Sequence, residues 1–295
     1  MAERALSIGA PRFAVLGANQ AVLHAVRWLS HFGAQLIGVK NFADADALDP
    51  SPAAVLIAGD AYAGAREDGG GVPRIWLWDY EVGRPGSGEM ACAVSGVSTV
   101  IGEADGPPGV MPAHIAEKWC GLFGASLALS LLLAQAGRAP QRIDVSAADA
   151  LRAFAEQNSG NHAGVPYGWR RNGRTAVEHG GVFPQGFFPC RDGFMAVQAR
   201  SRPDWQAILA ALGNPAWGAE MQNPFKLSED DSIVRPLLEA ELGALDRAEL
   251  LRRAAETGAP MAPVLTAGEA ANWRVYREGF LGADGNPGLP FAVRR

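Results

Sequence analysis

Cysteine is scarce in this chain, which contains only Cys92, Cys120 and Cys190. The three residues are odd in number and widely separated, and none follows the spacing of a metal site. This pattern argues against a disulfide-stapled secreted scaffold and against a cysteine-based metal centre. We therefore expect reduced, mostly buried thiols in a cytoplasmic protein that holds no metal.

Strong charge and long apolar runs are also missing. The chain has 31 acidic and 26 basic residues, for a net charge of −5, so we do not expect a nucleic-acid partner. Its most apolar run, LALSLLLA, is far shorter than the roughly 20 residues that a membrane-spanning helix needs. The first residues lack the continuous apolar region of a signal peptide. We expect no association with membranes.

The sequence also lacks a dinucleotide-binding fingerprint. Strands are predicted at Arg12–Leu16 and Ala34–Val39, with a helix at Asn19–Phe32 between them, which gives a parallel β-α-β unit. The turn after the first strand carries Gly17 alone, where a nicotinamide dinucleotide site needs G-x-G-x-x-G. A dehydrogenase is therefore disfavoured.

Two further apolar runs, Ala53–Ala58 and Arg74–Trp78, predict additional strands of the same sheet. The glycine- and charge-rich residues 59–71 between them predict an exposed loop. Together these patterns indicate an α/β fold with a parallel sheet.

The most informative stretch is residues 111–149. Pro112 suits a first helical turn, and a helix is predicted from Ala113 to Ala136. Gly121 and Gly124 fall on one face with Ala125 and Ala128, which would let a neighbouring backbone approach closely.

Among the ionisable residues near the start of this helix, Glu117 stands out. The positive end of the helix dipole stabilises negative charge there, so its carboxylate would be usable as a nucleophile or a base. The same position fits an ordinary surface residue that stabilises the helix. From the residues alone, we favour the surface interpretation.

The second half of the chain alternates hairpin and helix signals. Ser146 is predicted to cap a helix at Ala147–Asn158, and Asp144 before it is given a structural role. A hairpin across Arg191-Asp192-Gly193 joins Phe183–Cys190 to Gly193–Gln198. Helices are predicted at Ser201–Leu212, Asp230–Leu242 and Asp246–Thr257, with Asp230 or Asp231 and Asp246 as N-caps.

Several motifs, in order along the chain, resemble the class III CoA-transferase family, which includes formyl-CoA transferase, carnitine CoA-transferase and 2-methylacyl-CoA racemase. The matching pieces include Ile115-Ala116-Glu117, the glycine-containing helix after it, Ile143-Asp144-Val145-Ser146 and the segment Gly258–Thr266. Family members typically read I-A-D where this chain has I-A-E, and that aspartate is their catalytic carboxylate. The chain also looks shorter than typical members after the second strand and at the C-terminal tail.

The resemblance implies an acyl-CoA-dependent enzyme that moves CoA between carboxylic acids through an acyl intermediate on Glu117. It places His179, Gly180 and Gly181 in a glycine-rich loop over the acyl group, although His179 also fits a polar loop residue without a catalytic role. It further implies a set of residues near the CoA: Lys40, Gly83, Arg84, Asp105, Arg170, Arg171 and Arg174. Arginines pair well with phosphates, whereas the same irregular stretch, Ser159–Gly181, also fits a solvated linker.

The domain organisation that the resemblance implies has four parts. A Rossmann-like CoA-binding domain spans 1–160, a linker loop 161–182, a smaller α+β domain 183–266, and a C-terminal segment 267–295 returns toward the large domain. Family members form interlocked dimers, so a homodimer is expected, with acyl-CoA and a carboxylic acid acceptor as the other partners.

Two alternatives remain open. The chain is a repurposed, non-catalytic partner, or it is an isomerase, hydrolase or lyase that uses Glu117 as an acid or base. Racemases carry a His-Asp pair where this chain has Ser87 and Gly88, so two-base racemisation is disfavoured.

Overall fold

The computed structural model describes residues 10–65, 71–133, 142–159, 171, 173–174 and 182–273. These residues form two compact units, one of residues 10–102 with 107–159 and the other of residues 103–106 with 171–273. The linker expected at 161–182 is described only at 171, 173, 174 and 182, and the segment expected at 267–295 only as far as 273.

A five-stranded parallel sheet forms the centre of the first unit. Its strands run in the order β2-β1-β3-β4-β5, where β1 is Arg12–Leu16, β2 Gln35–Val39, β3 Ala54–Ala58, β4 Arg74–Trp78 and β5 Arg142–Ser146. The predicted α/β class is confirmed, and the first four strands lie within one residue of their predicted bounds. Every residue of β3 and β4 is buried, as expected for parallel strands covered on both faces.

The described residues of this unit include the helices α1 (Gln20–His31), α2 (Phe42–Asp46), α3 (Gly59–Tyr62), α4 (Gly88–Ser95), α5 (Ile115–Leu131) and α6 (Ala147–Ser159), together with a 3-10 turn at Val97–Val100. Helix α3 corrects the prediction of an exposed loop from residue 59. Its first residue, Gly59, packs directly on the indole ring of Trp78, where a Cβ would overlap the ring. The predicted cap of α6 is confirmed, since Ser146 Oγ accepts the Asp149 N–H at 3.1 Å.

The start of α5 also differs from the prediction. The helix begins at Ile115 rather than at Ala113, because His114 is its N-cap and adopts a left-handed conformation with φ 63°. The predicted close approach by its glycines is confirmed. A Cβ on Gly124 would lie 2.6 Å from Leu77 of β4, so the glycine lets α5 pack directly onto the sheet.

The second unit contains a three-stranded antiparallel sheet in the order β6-β7-β8, with β6 at Gln185–Cys190, β7 at Gly193–Gln198 and β8 at Met261–Pro263. Around it lie α7 (Arg202–Ala211), α8 (Pro224–Leu227), α9 (Val234–Gly243), α10 (Arg247–Thr257), α11 (Ala267–Ala271) and a 3-10 turn at Ala216–Ala219. Trp205, Phe183 and Phe188 are fully buried in its core.

The predicted hairpin is confirmed, since β7 begins at Gly193, which pairs with Cys190 and has φ 150°, and the loop is Arg191-Asp192. The predicted N-cap of α9 needs correction. Asp230 and Asp231 do not cap α9, which begins at Val234 without a side-chain cap. The N-cap at Asp246 is confirmed, since its carboxylate accepts the Glu249 N–H at 2.8 Å.

The three cysteines are free thiols, Cys92 and Cys120 buried and Cys190 half-buried. None of the helices in the described ranges has the length and apolar character needed to cross a membrane.

Candidate active site

Glu117 lies in the first turn of α5 and is only 3% exposed. The interpretation of Glu117 as an ordinary surface residue is therefore wrong. A buried carboxylate is costly unless hydrogen bonds or opposite charge compensate for the lost solvent. The contacts of its two oxygens therefore decide what the residue can do.

One oxygen is held by the backbone of a second helix. The N–H of Gly88, the first residue of α4, donates a hydrogen bond of 2.9 Å to Oε1 of Glu117. Ser87, the N-cap of α4, makes no side-chain capping bond, so Glu117 supplies a cap from 29 residues along the chain. The carboxylate thus lies at the N-termini of both α4 and α5, whose dipoles stabilise negative charge.

The other oxygen has no such contact. Within the described ranges, Oε2 of Glu117 is buried and has no hydrogen-bond partner. Buried polar atoms without partners are rare, and a catalytic role is one explanation for such an atom. This asymmetry leaves one lone-pair-bearing oxygen available for chemistry.

His114 is an ionisable neighbour of Glu117. Its Nδ1 lies 3.6 Å from Oε1 of Glu117, longer than a direct hydrogen bond. The imidazole is about half-exposed, whereas the carboxylate it faces is buried. His114 is the N-cap of α5 and has a left-handed backbone conformation.

A second buried carboxylate, Asp79, follows β4 at the carboxyl edge of the sheet. Burial raises its pKa to about 6, opposed by hydrogen bonds from the N–H groups of Ala21 and Gln20, while the charges of Asp60 and Glu117 add to the rise. Asp60 accepts hydrogen bonds from the Asp79 N–H and from Asn19 Nδ2. Ligands of open parallel sheets bind outside this edge of the strands.

Cys92 of α4 belongs to the same surroundings. Burial raises the pKa of its thiol, and the negative charges of Glu117 and Glu89 raise it further, against a backbone hydrogen bond from Met111. The thiol is therefore held protonated and is a poor nucleophile. Among the described residues no group of histidine, cysteine and acidic side chains could hold a metal ion.

The residues expected near CoA in the first unit are solvent-facing. Lys40 and Gly83 are exposed, and Gly83 has φ 77° in the loop after β4. Arg84 is 71% exposed and pairs with Glu81 at 3.4 Å. The structure thus shows two exposed cations, with no described contact between either of them and Glu117.

The expected residues of the second unit have protein partners. Arg171 Nε donates to the Glu103 carbonyl at 3.2 Å, so it lies at the turn that contains Asp105. Arg174 contacts the Phe187 carbonyl and Glu239, each at 3.3 Å. Arg170, His179, Gly180 and Gly181 lie outside the described residues.

Sequence reasoning did not identify Gly88, His114 and Asp79 as neighbours of Glu117. Ser87 and Gly88 were considered only as the positions where racemases carry a His-Asp pair. The signal for Asp79 was available, because an acidic residue directly after a buried strand lies at the carboxyl edge of a parallel sheet. A glycine that contributes only its amide gives no comparable signal.

Known proteins show two kinds of similarity to this chain. Two crystal structures share the fold: a CAIB/BAIF family protein from Brucella suis, with TM-score 0.75 and 16% identity over 99% of this chain and 93% of that one, and Rv3272 from Mycobacterium tuberculosis, with TM-score 0.72 and 16% identity over 94% and 88%. The shortening expected from the sequence is therefore small against these structures. No curated protein matches the chain.

The sequence itself matches the model of CoA-transferase family III over residues 80–282, which is more than half of its length. The matched region includes Gly88, His114 and Glu117, and the fold agrees with that of the CAIB/BAIF protein. This chain is a member of CoA-transferase family III.

Proposed function

We propose that this protein transfers CoA from an acyl-CoA to a carboxylic acid acceptor, with Glu117 as the residue that carries the acyl group. Family membership supports acyl-CoA chemistry in general. The observation that carries the specific proposal is the asymmetric carboxylate of Glu117, with Oε1 held by the Gly88 amide and Oε2 buried without a described partner.

The reaction divides one difficult transfer into several acyl exchanges. The Glu117 carboxylate attacks the thioester carbonyl carbon, the carbon–sulfur bond breaks, and CoA leaves as the thiolate. The thiolate then attacks the glutamyl carbon of the mixed anhydride, which releases the first acid and leaves a glutamyl-CoA thioester. The acceptor carboxylate attacks this thioester, the thiolate leaves again and attacks the acceptor's carbonyl, and free Glu117 returns.

Substrate binding in this proposal uses the residues that the family resemblance selects. Lys40 and Arg84 are exposed cations of the first unit and suit the CoA phosphates. Gly83, Asp105, Arg170, Arg171 and Arg174 complete the proposed set, with His179, Gly180 and Gly181 over the acyl group, where backbone N–H groups would stabilise an oxyanion. A cytoplasmic homodimer belongs to the same proposal.

A second candidate function follows from His114. Its Nδ1 faces Glu117 Oε1 at 3.6 Å, and such a carboxylate–imidazole pair can move a proton at a carbon next to a thioester. An isomerase or lyase of this kind turns over one acyl-CoA without an acceptor acid. It also exchanges solvent deuterium into the substrate, which CoA transfer does not.

The test is a steady-state assay of CoA transfer. Acetyl-CoA, succinyl-CoA and benzoyl-CoA are each paired with acetate, succinate, formate and benzoate, and product thioesters are followed by mass. We expect at least one pair to react with ping-pong kinetics, and Glu117→Gln to abolish the reaction. Turnover without an acceptor acid, with deuterium entering the acyl group, would instead establish the acid–base alternative, and binding without any turnover would indicate a repurposed protein.

A further inference from the structure

The space between α4 and α5 fits Glu117 only because residue 88 has no side chain. A Cβ built on Gly88 would overlap Oε2 of Glu117, and it would lie 2.5 Å from Cδ and 2.7 Å from Oε1. These three atoms are the nearest to such a Cβ, and all of them belong to one carboxyl group. Gly88 does not have a positive φ, so its backbone conformation alone does not require glycine.

We propose that Gly88 is a positioning residue for Glu117: its amide fixes Oε1, its missing side chain admits the longer glutamate arm, and Oε2 is thereby the attacking oxygen. This inference rests on the proposed function for its chemical meaning. It explains how a glutamate occupies the position where the family resemblance expects an aspartate. The additional methylene carries the carboxyl group into the volume that a side chain at residue 88 would take.

The two oxygens then have different tasks in the reaction. Oε2, which lacks a described donor, keeps its lone pairs for the bond to the thioester carbon. When the CoA thiolate later attacks Cδ, the sulfur–Cδ bond forms and the Cδ–Oε2 bond breaks, so Oε2 leaves with the first acid. During that attack negative charge develops on Oε1, where the Gly88 N–H already donates.

The test is a double-mutant cycle of Gly88→Ala and Glu117→Asp, read as the rate at which residue 117 is acylated by the reactive acyl-CoA of the panel. Gly88→Ala alone should slow acylation by about 100-fold, since a displacement near 1 Å costs that much. In the Glu117→Asp background the same alanine should cost less than about 3-fold, because the shorter arm vacates the space. Gly243→Ala, a helical glycine with open space around it, is the matched control and should not change the rate.

An equal loss from Gly88→Ala in both backgrounds would overturn the inference, because it would assign Gly88 a role independent of Glu117. The denaturant midpoints of the same four proteins give a readout that needs no activity. If Gly88→Ala fails to fold, the double variant should fold, and a double variant that also fails contradicts the proposal.

The two readouts separate this inference from the proposed function. If the two substitutions have non-additive effects on the denaturant midpoint but no protein forms an adduct, the result would support the positioning role of Gly88 and contradict the transferase. An adduct on the wild type with no coupling in either readout would support the transferase and overturn the role of Gly88.

Discussion

Gly121 of α5 lies against the carbonyl oxygen of Ala21 in α1, so closely that a Cβ on Gly121 would be 2.5 Å from that oxygen. The same Cβ would be 2.8 Å from His24 Cβ and 3.0 Å from the Ala25 nitrogen. Two of these three atoms are backbone and cannot move independently of α1. The contact therefore sets how close the two helices approach, and with it the position of Glu117 one turn earlier on α5.

Gly121→Ala should destabilise the fold. Overpacking a close contact costs typically 1–3 kcal/mol, and the better helix propensity of alanine returns about 1 kcal/mol, so we expect a net loss of up to about 2 kcal/mol. Urea unfolding followed by far-UV circular dichroism measures it. Gly243→Ala is the control, expected to be neutral or to stabilise by up to about 1 kcal/mol. Equal urea midpoints for the wild type and Gly121→Ala would show that α1 and α5 are not closely packed at Gly121.

Asp79 should make stability depend on pH in the weakly acidic range. Its pKa is about 6 in the folded protein against an ordinary 3.8, so the folded state binds the proton more tightly. Protonated Asp79 therefore contributes up to about 3 kcal/mol to the free energy of unfolding. This contribution is fully present below pH 3.8 and is lost as the pH rises through 6.

Unfolding free energies of the wild type and of Asp79→Asn, measured from pH 4 to pH 7, test this sign. The wild type should lose stability relative to the variant as the pH rises. A constant difference across the range would contradict a raised pKa at Asp79.

His114→Asn distinguishes the two candidate functions. Asparagine tolerates the left-handed conformation at this N-cap, so the start of α5 is retained while the imidazole is removed. If Glu117 acts as a nucleophile, kcat/KM for CoA transfer should fall by less than about 10-fold. If the acid–base candidate is correct, acceptor-free turnover of the acyl-CoA should instead fall by about 100- to 10,000-fold, the loss expected when a general acid or base is removed.

Much of the first unit was predictable because its signals are local. The strands β1, β3 and β4 are continuous apolar runs, and α1 and α6 begin at residues whose side chains cap them, Asn19 and Ser146. The start of α5 was not predictable in this way. Pro112 favours a first helical turn, but His114 adopts a left-handed conformation as the N-cap, so the helix begins only at Ile115.

The candidate site depended on contacts between distant parts of the chain. Glu117 was identified through the family resemblance, whereas its burial follows from α4 packing over it through Gly88, 29 residues earlier. No local sequence pattern predicts that contact. The predicted loop at residue 59 likewise missed a distant contact, because Gly59 of α3 packs on Trp78 of a neighbouring strand.

The central claim is that the Glu117 carboxylate becomes covalently acylated. The most direct measurement is the intact mass of the protein after mixing with acetyl-CoA, succinyl-CoA or benzoyl-CoA, before and after hydroxylamine. The account predicts an adduct that hydroxylamine removes, that maps to Glu117 in digested peptides, and that is absent from Glu117→Gln. An unmodified wild-type mass with every acyl-CoA, or an adduct that persists in Glu117→Gln, would contradict it.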